Sequence, residues 1–236
     1  MTKHKILSTK KLEPSLAALA RQNLELTEEN FISIQAIDTQ EKHKEIGRWM
    51  QAHQTCAAFT SANAVTALTA FTHAAPNWKI FCLSGKTKQT LAQPEFRYLG
   101  TIIDTAVNAT DLAKTIIANN IKELLFFCGD RRRDALPAIL QASGVIVHEV
   151  IVYQTVETPV RNEEDTDGIL FFSPSAVESF FSVNTPAPTT VCFATGSTTA
   201  ESLASVTANR IITSPEPGQQ AMLATVNKYF DKTYIE

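Results

Sequence analysis

The sequence predicts an α/β protein of two similar parallel-sheet lobes, joined by a two-segment hinge, with a ligand cleft between them. Short apolar runs alternate with helical patterns along the chain, which is typical of βαβ crossovers and parallel sheets. Runs such as 124–127 (LLFF) are apolar at every position, as strands covered on both faces should be. A phrase repeated at 57–65 (AAFTSANAV) and 169–177 (ILFFSPSAV) indicates that the two lobes are related.

The repeat extends beyond this first phrase. A second phrase follows each copy at nearly the same distance, at 80–91 (IFCLSGKTKQTL) and 191–203 (VCFATGSTTAESL). Ser61 and Ser173, which hold equivalent places in the first phrase, are 112 residues apart. Each copy therefore places hydroxyl-bearing turns at the start of its helices.

The individual elements follow from the same alternation. Apolar runs predict strands at 57–60, 79–83, 97–103, 123–128, 145–152, 168–172, 189–193 and 210–213. The stretches between them predict helices near 62–73, 86–92, 110–119, 132–142, 174–182, 197–206 and 216–230. At the N-terminus, residues 5–9 and 31–37 predict two further strands, with a helix after Pro14.

The number of strands in each half predicts how the chain is divided. The first copy of the repeat is followed by two more strands before residue 152, whereas the second copy has only the run at 210–213 before its last helix. The N-terminal strands at 5–9 and 31–37 can supply what the second sheet lacks. The expected domains are therefore 1–37 with 156–236, as one discontinuous α/β domain, and 38–155 as an inserted α/β domain.

Composition and charge are those of an ordinary globular protein. Of the 236 residues, 44% are hydrophobic and 19% are charged, and the net charge is −3. Without an extended basic block, nucleic acid is not expected as a partner. No apolar stretch approaches the roughly 20 residues that span a bilayer, and no signal peptide follows Met1, so we expect a cytoplasmic protein without membrane contact.

The cysteines and histidines do not form a metal-binding pattern. Cys56, Cys82, Cys128 and Cys192 lie in or beside apolar runs without CxxC spacing, and such cysteines usually behave as small buried hydrophobes. A catalytic thiol or a metal ligand is the alternative role. The five histidines show neither HxxxH nor HxH spacing, so we expect no metal site.

The turns after the repeated strands contain hydroxyl residues that can cap helices or bind a ligand. Ser61 and Ser173 stand between a strand and a helix, where a hydroxyl caps the helix, and Pro174 suits a first helical turn. Capping alone is the simplest role of each residue. Because parallel strands end at the same edge of a sheet, several such helix starts also form a diffuse anion-binding site there.

Two other motifs suggest anion chemistry of a different kind. The SGKT motif around Gly85 resembles part of a phosphate-binding P-loop, but the glycine required five residues earlier is replaced by Ile80, so nucleotide hydrolysis is not expected. GDRRRD at 129–134 stands after a strand and at the start of a helix. Arg131 and the two arginines that follow it have long, positively charged side chains that can contact an anionic ligand. A solvated helix face is the commoner role for such a run.

Seven segments, taken in order, carry a family resemblance: FTSANAV, SGKT, FFCGDRRRDALPAIL, IVYQTV, FFSPSAVESF, ATGSTTAESL and ITSPEPGQQAML. They resemble the uroporphyrinogen-III synthase family, and the likeness runs from about residue 5 to residue 230. The resemblance implies a cofactor-free, monomeric lyase with two α/β lobes and a discontinuous first domain. Its implied reaction cyclises hydroxymethylbilane with inversion of ring D and release of water, in tetrapyrrole (haem) biosynthesis. Transient contact with hydroxymethylbilane synthase is a further implied property.

The resemblance also implies the residues of the site. Tyr153 matches a tyrosine discussed as assisting loss of the substrate's hydroxyl group, and packing at the hinge is its alternative role. The implied substrate-binding residues are Thr60, Ser61, Asn63, Lys86, Thr87, Gly129, Arg131, Ser173, Ser175, Ala176, Thr198 and Thr199. The chain departs from the family pattern at Ala62 and Asn63, where TSP-x-A is frequent, and at Ser84, where glycine is common.

Two other classes of function stay open. One is a non-catalytic two-lobed protein that binds a tetrapyrrole or another polyanion without turning it over. The other is an α/β transferase acting on a phosphorylated substrate at the same sheet edge. It would require a phosphate-binding fingerprint, which the SGKT spacing does not supply, and fold alone does not separate these classes.

Overall fold

The computed structural model describes residues 3–17, 23–51, 55–71 and 75–232, in which strands and helices alternate. The strands are β1 (His4–Ser8), β2 (Leu24–Glu28), β3 (Ile32–Ala36), β4 (Cys56–Phe59), β5 (Trp78–Leu83), β6 (Gly100–Ala106), β7 (Glu123–Gly129), β8 (Ile146–Glu157), β9 (Gly168–Phe171), β10 (Val191–Ala194) and β11 (Ile211–Thr213). The α-helices are α1 (Pro14–Ala17), α2 (Gln40–Gln51), α3 (Ala62–Ala67), α4 (Lys86–Leu91), α5 (Ala109–Ala118), α6 (Ala135–Ala142), α7 (Pro174–Phe181), α8 (Ser197–Val206) and α9 (Gln219–Lys232). Short 3-10 helices cover Leu68–Ala70 and Pro94–Leu99.

The chain forms two compact units, each with its own sheet. Unit 1 comprises Met1–Ser33 and Val156–Glu236, and unit 2 comprises Ile34–Thr155. The chain passes between them within β3 and again within β8. The assignment of these segments to a discontinuous domain (1–37 with 156–236) and an inserted domain (38–155) stays a prediction.

Unit 1 is built on a five-stranded sheet with the order β11-β10-β9-β1-β2, in which neighbouring strands are parallel. On one face, Leu170 and Phe193 pack in a cluster with Val226 of α9. On the other face, Phe171 packs with Phe180 of α7. Because helices cover both faces, β9 and β10 are buried at every position, which explains their continuous apolar sequences.

Unit 2 is built on a six-stranded sheet with the order β3-β8-β7-β4-β5-β6. Pairing is parallel from β8 through β7, β4 and β5 to β6. On one face, the rings of Phe59 and Phe127 stack at 5.2 Å between centroids and pack in a cluster with Val65 of α3. On the other face, Phe126 packs with Leu112 of α5. The predicted α/β class with two similar parallel-sheet lobes is therefore confirmed.

The strand predicted at 97–103 is displaced by three residues. Pro94–Leu99 forms a 3-10 helix, and β6 begins only at Gly100. Gly100 has a φ of 147°, and a Cβ at this position would lie 2.0 Å from the carbonyl oxygen of Trp78. The entry into β6 therefore requires glycine, and the apolar residues before it fill a helical turn instead of a strand.

The expectation that residues 31–37 join the sheet of the 156–236 segment is wrong. β3 lies beside β8 at the edge of the six-stranded sheet, and β2, which the sequence pattern does not predict, completes the sheet of unit 1. A second unpredicted element is α2, a helix of 12 residues that buries only Ile46 and Met50. Two buried residues give too sparse an apolar pattern to identify a helix.

Two predicted helices are shorter than expected. α3 ends at Ala67 and continues as a 3-10 helix to Ala70, while residues 72 and 73 of the prediction lie outside the described residues. α6 begins at Ala135 instead of residue 132, because 131–134 forms the turn after β7. Within the ranges described above, no helix has the length and apolar character needed to cross a membrane.

Candidate active site

The turn after β4 places Thr60, Ser61 and Asn63 at the start of α3. Ser61 has an extended backbone, with φ −141° and ψ 135°, and its Oγ accepts a hydrogen bond from the backbone N of Asn63 at 3.1 Å. Ser61 is therefore the N-cap of α3, as expected for a hydroxyl residue that follows an apolar strand. Thr60 is half-buried, and the side chain of Asn63 is exposed.

Tyr153 of β8 reaches the same turn. Its hydroxyl donates a hydrogen bond to Ser61 Oγ at 3.4 Å. Its ring lies directly over Gly129, where a Cβ would be 2.3 Å from the ring carbon Cζ. Gly129 is therefore required for the close approach of an aromatic ring.

The environment of Tyr153 keeps its phenol protonated. Burial raises the pKa of Tyr153 above its usual value of 10.0, and hydrogen bonds with Ser61 and Asn63 oppose that shift. The side chain is thus a neutral hydrogen-bond donor at neutral pH. A neutral phenol held beside a hydroxyl at the end of a parallel sheet is equipped to donate a proton.

The turn after β5 carries Lys86 and Thr87. Gly85 precedes α4 with φ 76° and ψ −134°, a conformation that favours glycine, and it provides no side-chain cap. The side chain of Lys86 is exposed, whereas Thr87 is buried.

The arginines after β7 differ in their surroundings. Arg132 forms ion pairs with Asp134 and Glu149, so its charge is neutralised within unit 2. Arg131, the residue implied by the family resemblance, is exposed on the same turn. Exposure makes Arg131 better suited than Arg132 to contact an anionic ligand.

In unit 1 the turn after β9 repeats the arrangement at Ser61. Ser173 has φ −160° and ψ 157°, and its Oγ accepts a hydrogen bond from the backbone N of Ala176 at 3.2 Å. Pro174 occupies the first position of α7, as predicted. Ser175 and Ala176 are buried, so their side chains face the core rather than solvent.

The turn after β10 presents Thr198 and Thr199 on α8. Thr198 is exposed, whereas Thr199 is buried in the first turn of the helix. Gly196 precedes α8 in an extended conformation and supplies no side-chain cap. The neighbouring Thr195 accepts a hydrogen bond from the backbone N of Gly218 at 3.4 Å, which links this turn to the one before α9.

Lys10 is a basic residue of unit 1 that the sequence pattern did not single out. It follows β1, which is parallel to β9, so it lies at the sheet edge that carries Ser173. Its Nζ is 5.9 Å from the centroid of the Phe172 ring. Applying the strand-end argument to β1 would have identified Lys10, because parallel strands place the residues that follow them at one edge.

The predicted residues thus separate by accessibility. Exposed or half-buried members are Thr60, Ser61, Asn63, Lys86, Arg131, Tyr153, Ser173 and Thr198; buried members are Thr87, Gly129, Ser175, Ala176 and Thr199. Of these, unit 2 brings Ser61, Asn63, Gly129 and Tyr153 into one cluster. In the part of the chain that the structure describes, no three His, Cys, Asp or Glu residues are grouped so that they could hold a metal ion.

Solved structures that are similar to nearly the whole chain include the following two. One is a uroporphyrinogen-III synthetase from Helicobacter pylori, with a TM-score of 0.69, 15% identity, and coverage of 97% of this chain and 100% of that chain. The other is a mutant uroporphyrinogen III synthase from Thermus thermophilus, with a TM-score of 0.63, 14% identity, and coverage of 99% and 100%. At these identities the likeness establishes a shared fold. No curated protein sequence matches the chain.

The family itself is established by the sequence. The family model described as uroporphyrinogen-III synthase HemD matches residues 15–224, which is most of the 236-residue chain. This match confirms the resemblance carried by the seven ordered segments. The chain belongs to the uroporphyrinogen-III synthase HemD family.

Proposed function

We propose that this chain is a cofactor-free lyase that converts hydroxymethylbilane into uroporphyrinogen III, with inversion of ring D and release of water. Membership of the family makes it an enzyme of tetrapyrrole (haem) biosynthesis that acts on a small molecule. The observation that carries the proposal is the cluster around Tyr153, a protonated phenol held over Gly129 and against Ser61.

The substrate is a flexible polycarboxylate, and both units provide groups that suit it. In unit 2, Ser61 and the exposed Lys86 offer a hydroxyl and a positive charge at strand ends. In unit 1, Ser173, Thr198 and Lys10 provide the same chemistry. Hydrogen bonds from charged or hydroxyl groups to carboxylates are among the stronger polar contacts in proteins. We therefore assign the accessible members of the predicted set to substrate binding.

Tyr153 is assigned to the first chemical step. Its hydroxyl donates a proton to the departing hydroxyl group of hydroxymethylbilane, which leaves as water. The pyrrole N–H of the resulting cation returns a proton to the phenolate, which restores the phenol and leaves an electrophilic azafulvene. The substituted carbon of ring D attacks this electrophile and gives a spiro intermediate. Reopening and closure of that intermediate produce the macrocycle with ring D inverted.

Positioning contributes more to this reaction than acid strength does. Hydroxymethylbilane also closes without an enzyme, but to the uninverted isomer I, so the enzyme must select one conformation of a mobile chain. Holding reactants in a productive geometry is worth far more than a single proton donor, which typically contributes about 10²–10⁴-fold. A site rich in hydroxyl groups and poor in strong acids and bases fits that requirement.

We further propose that the enzyme acts as a cytoplasmic monomer and contacts hydroxymethylbilane synthase transiently. The four cysteines are free and buried, which suits a reducing compartment. Transient contact would shorten the time during which the unstable substrate can close without the enzyme.

A coupled assay tests the proposed function. Porphobilinogen and hydroxymethylbilane synthase generate the substrate in place, with and without this chain, and the porphyrin isomers are separated after oxidation. We expect isomer III with the chain and isomer I without it. Isomer I alone in the presence of folded protein would contradict the proposal and favour a non-catalytic binding protein.

A further inference from the structure

β8 contains a bulge where it meets the end of β7. Cys128 pairs with Ile151, but the next residue, Gly129, pairs with Tyr153, so Val152 is an extra residue in β8. Consecutive side chains of a regular strand point to opposite faces, yet Val152 and Tyr153 both pack against the same hydrophobic cluster. The bulge therefore directs Tyr153 toward the cluster around Ser61.

Asp130 is hydrogen-bonded across this bulge by its backbone and its carboxylate. Its backbone N–H donates to the carbonyl oxygen of Tyr153 at 3.1 Å. Its Oδ1 accepts from the backbone N of Thr155 at 2.9 Å. The same Oδ1 accepts from the backbone N of Arg131 at 2.9 Å, which fixes the carboxylate within the turn after β7. Asp130 thus contacts β8 at Tyr153 and again two residues later.

We propose that Asp130 is a positioning residue for Tyr153. Its carboxylate holds β8 through the hydrogen bond that it accepts from the backbone N of Thr155, which we call the clamp. The clamp maintains the bulge that places the phenol over Gly129. Asp130 was not among the residues implied by the family resemblance. The inference rests on the proposed function, in which Tyr153 donates the proton that releases water.

The geometry distinguishes this role from ordinary turn formation. The pairing of β7 with β8 ends at Gly129 and Tyr153, directly after the bulge, so Thr155 lies beyond the last residue pair of these two strands and its N–H needs another acceptor. The carboxylate of Asp130 supplies that acceptor. The negative charge of Asp130 also contributes to raising the pKa of Tyr153, which favours the protonated phenol.

Two substitutions separate the hydrogen bond from the charge. Asp130→Asn keeps an oxygen that can accept from Thr155, whereas Asp130→Ala removes both acceptor and charge. Asp104→Ala is the matched control, because Asp104 Oδ1 accepts from the backbone N of Thr105 at 2.7 Å in β6. All variants are first checked for folding by circular dichroism. If the alanine variant does not fold, Asp130→Glu replaces it, because the added methylene displaces the carboxylate. Asp130→Glu should then show the same fall in kcat and the same faster amide exchange at Thr155 that we expect of Asp130→Ala.

We expect Asp130→Ala to lower kcat by about tenfold with little change in KM, because the proton donor is displaced while most substrate contacts remain. Asp130→Asn should recover kcat to within about twofold of the wild type. Amide exchange at Thr155 should accelerate in the alanine variant and stay slow in the asparagine variant and the Asp104→Ala control. In a Tyr153→Phe background, Asp130→Ala should cause no further loss.

Other results would overturn the proposal. Wild-type kcat with unchanged Thr155 exchange in Asp130→Ala would exclude the clamp. If the fold-losses in kcat from Asp130→Ala and from Tyr153→Phe multiply in the double variant, Asp130 does not act through Tyr153. Failure of the proposed function is recognised separately, since wild-type protein would then yield isomer I, and the Thr155 exchange measurement would still decide whether the clamp exists.

Discussion

Tyr153 shows how one residue acquires its chemistry from its neighbours. Burial favours its neutral form, Ser61 accepts a hydrogen bond from its hydroxyl, and Gly129 leaves room for its ring. The chemical identity of these residues is visible in the sequence, but their contacts are not. The ring reaches Gly129 only because the bulge shifts the register of β8 by one residue, and register depends on how two strands pair.

The protonation of Tyr153 can be measured directly. We expect its phenol to titrate above 10.0, because burial penalises the phenolate. Subtracting the alkaline ultraviolet titration of Tyr153→Phe from that of the wild type isolates this group among the four tyrosines. The same variant should lower kcat by up to about 10²-fold while still producing isomer III. A Tyr153 titration at or below the ordinary value would contradict the buried environment.

Gly129→Ala tests the contact between the ring and the backbone. The new Cβ would lie 2.3 Å from the Tyr153 ring, so the ring must move, and we expect a loss of about 1–3 kcal/mol in unfolding free energy together with a fall in kcat. Gly47→Ala in α2 is the control, because its Cβ would meet no atom within 4 Å. Denaturant unfolding should show that the control is unchanged or stabilised by about 0.5–1 kcal/mol. Equal effects at the two positions would contradict the ring contact.

At the scale of elements, the repeated phrases correspond to equivalent strand–turn–helix units. β4 leads through Ser61 into α3, and β9 leads through Ser173 into α7, with the same type of cap in both. These units could be predicted because their strands are apolar throughout and their caps are polar. β2 and α2 could not, since few of their residues are buried and tertiary contacts decide their conformation.

Alanine at the two caps tests this equivalence. Ser61→Ala and Ser173→Ala should each lower the unfolding free energy by about 1 kcal/mol, because each serine Oγ accepts a backbone N–H at a helix start. Ser205→Ala, whose hydroxyl bonds a carbonyl near the end of α8, is the matched control. Chemical denaturation measures all three. A stability loss at Ser205 equal to that at the two caps would argue against capping as the cause.

At the scale of the whole molecule, both units bury reduced cysteines within their sheets. Burial raises the pKa of Cys82 and Cys128 in unit 2 to about 11, and that of Cys192 in unit 1 to about 12. The sequence predicted these thiols as buried hydrophobes, and the structure confirms that placement. The sheet in which β3 lies was harder to anticipate, because β3 begins in unit 1 but extends the sheet of unit 2.

The buried thiols predict a loss of stability at alkaline pH. Each thiol ionises near 9.0 when exposed but stays protonated to higher pH in the folded protein, so above pH 9 the unfolded chain binds fewer protons. Stability should therefore fall as pH rises, by about 1.4 kcal/mol per pH unit for each such thiol. Cys192→Ala should make the fall in unfolding free energy between pH 9 and 11 less steep, by the contribution of one thiol, about 1.4 kcal/mol per pH unit. An unchanged slope in unfolding experiments would contradict the assignment.

The central claim is that this chain directs hydroxymethylbilane to the inverted macrocycle chiefly by positioning it. The most direct test measures the isomer ratio in the coupled reaction as limiting amounts of wild type or Tyr153→Phe are added. We predict that isomer III rises in proportion to either protein, with a lower slope for the variant. Isomer I alone with the wild type would contradict the function. Isomer III with the wild type but isomer I with an excess of the variant would contradict the dominance of positioning over acid catalysis.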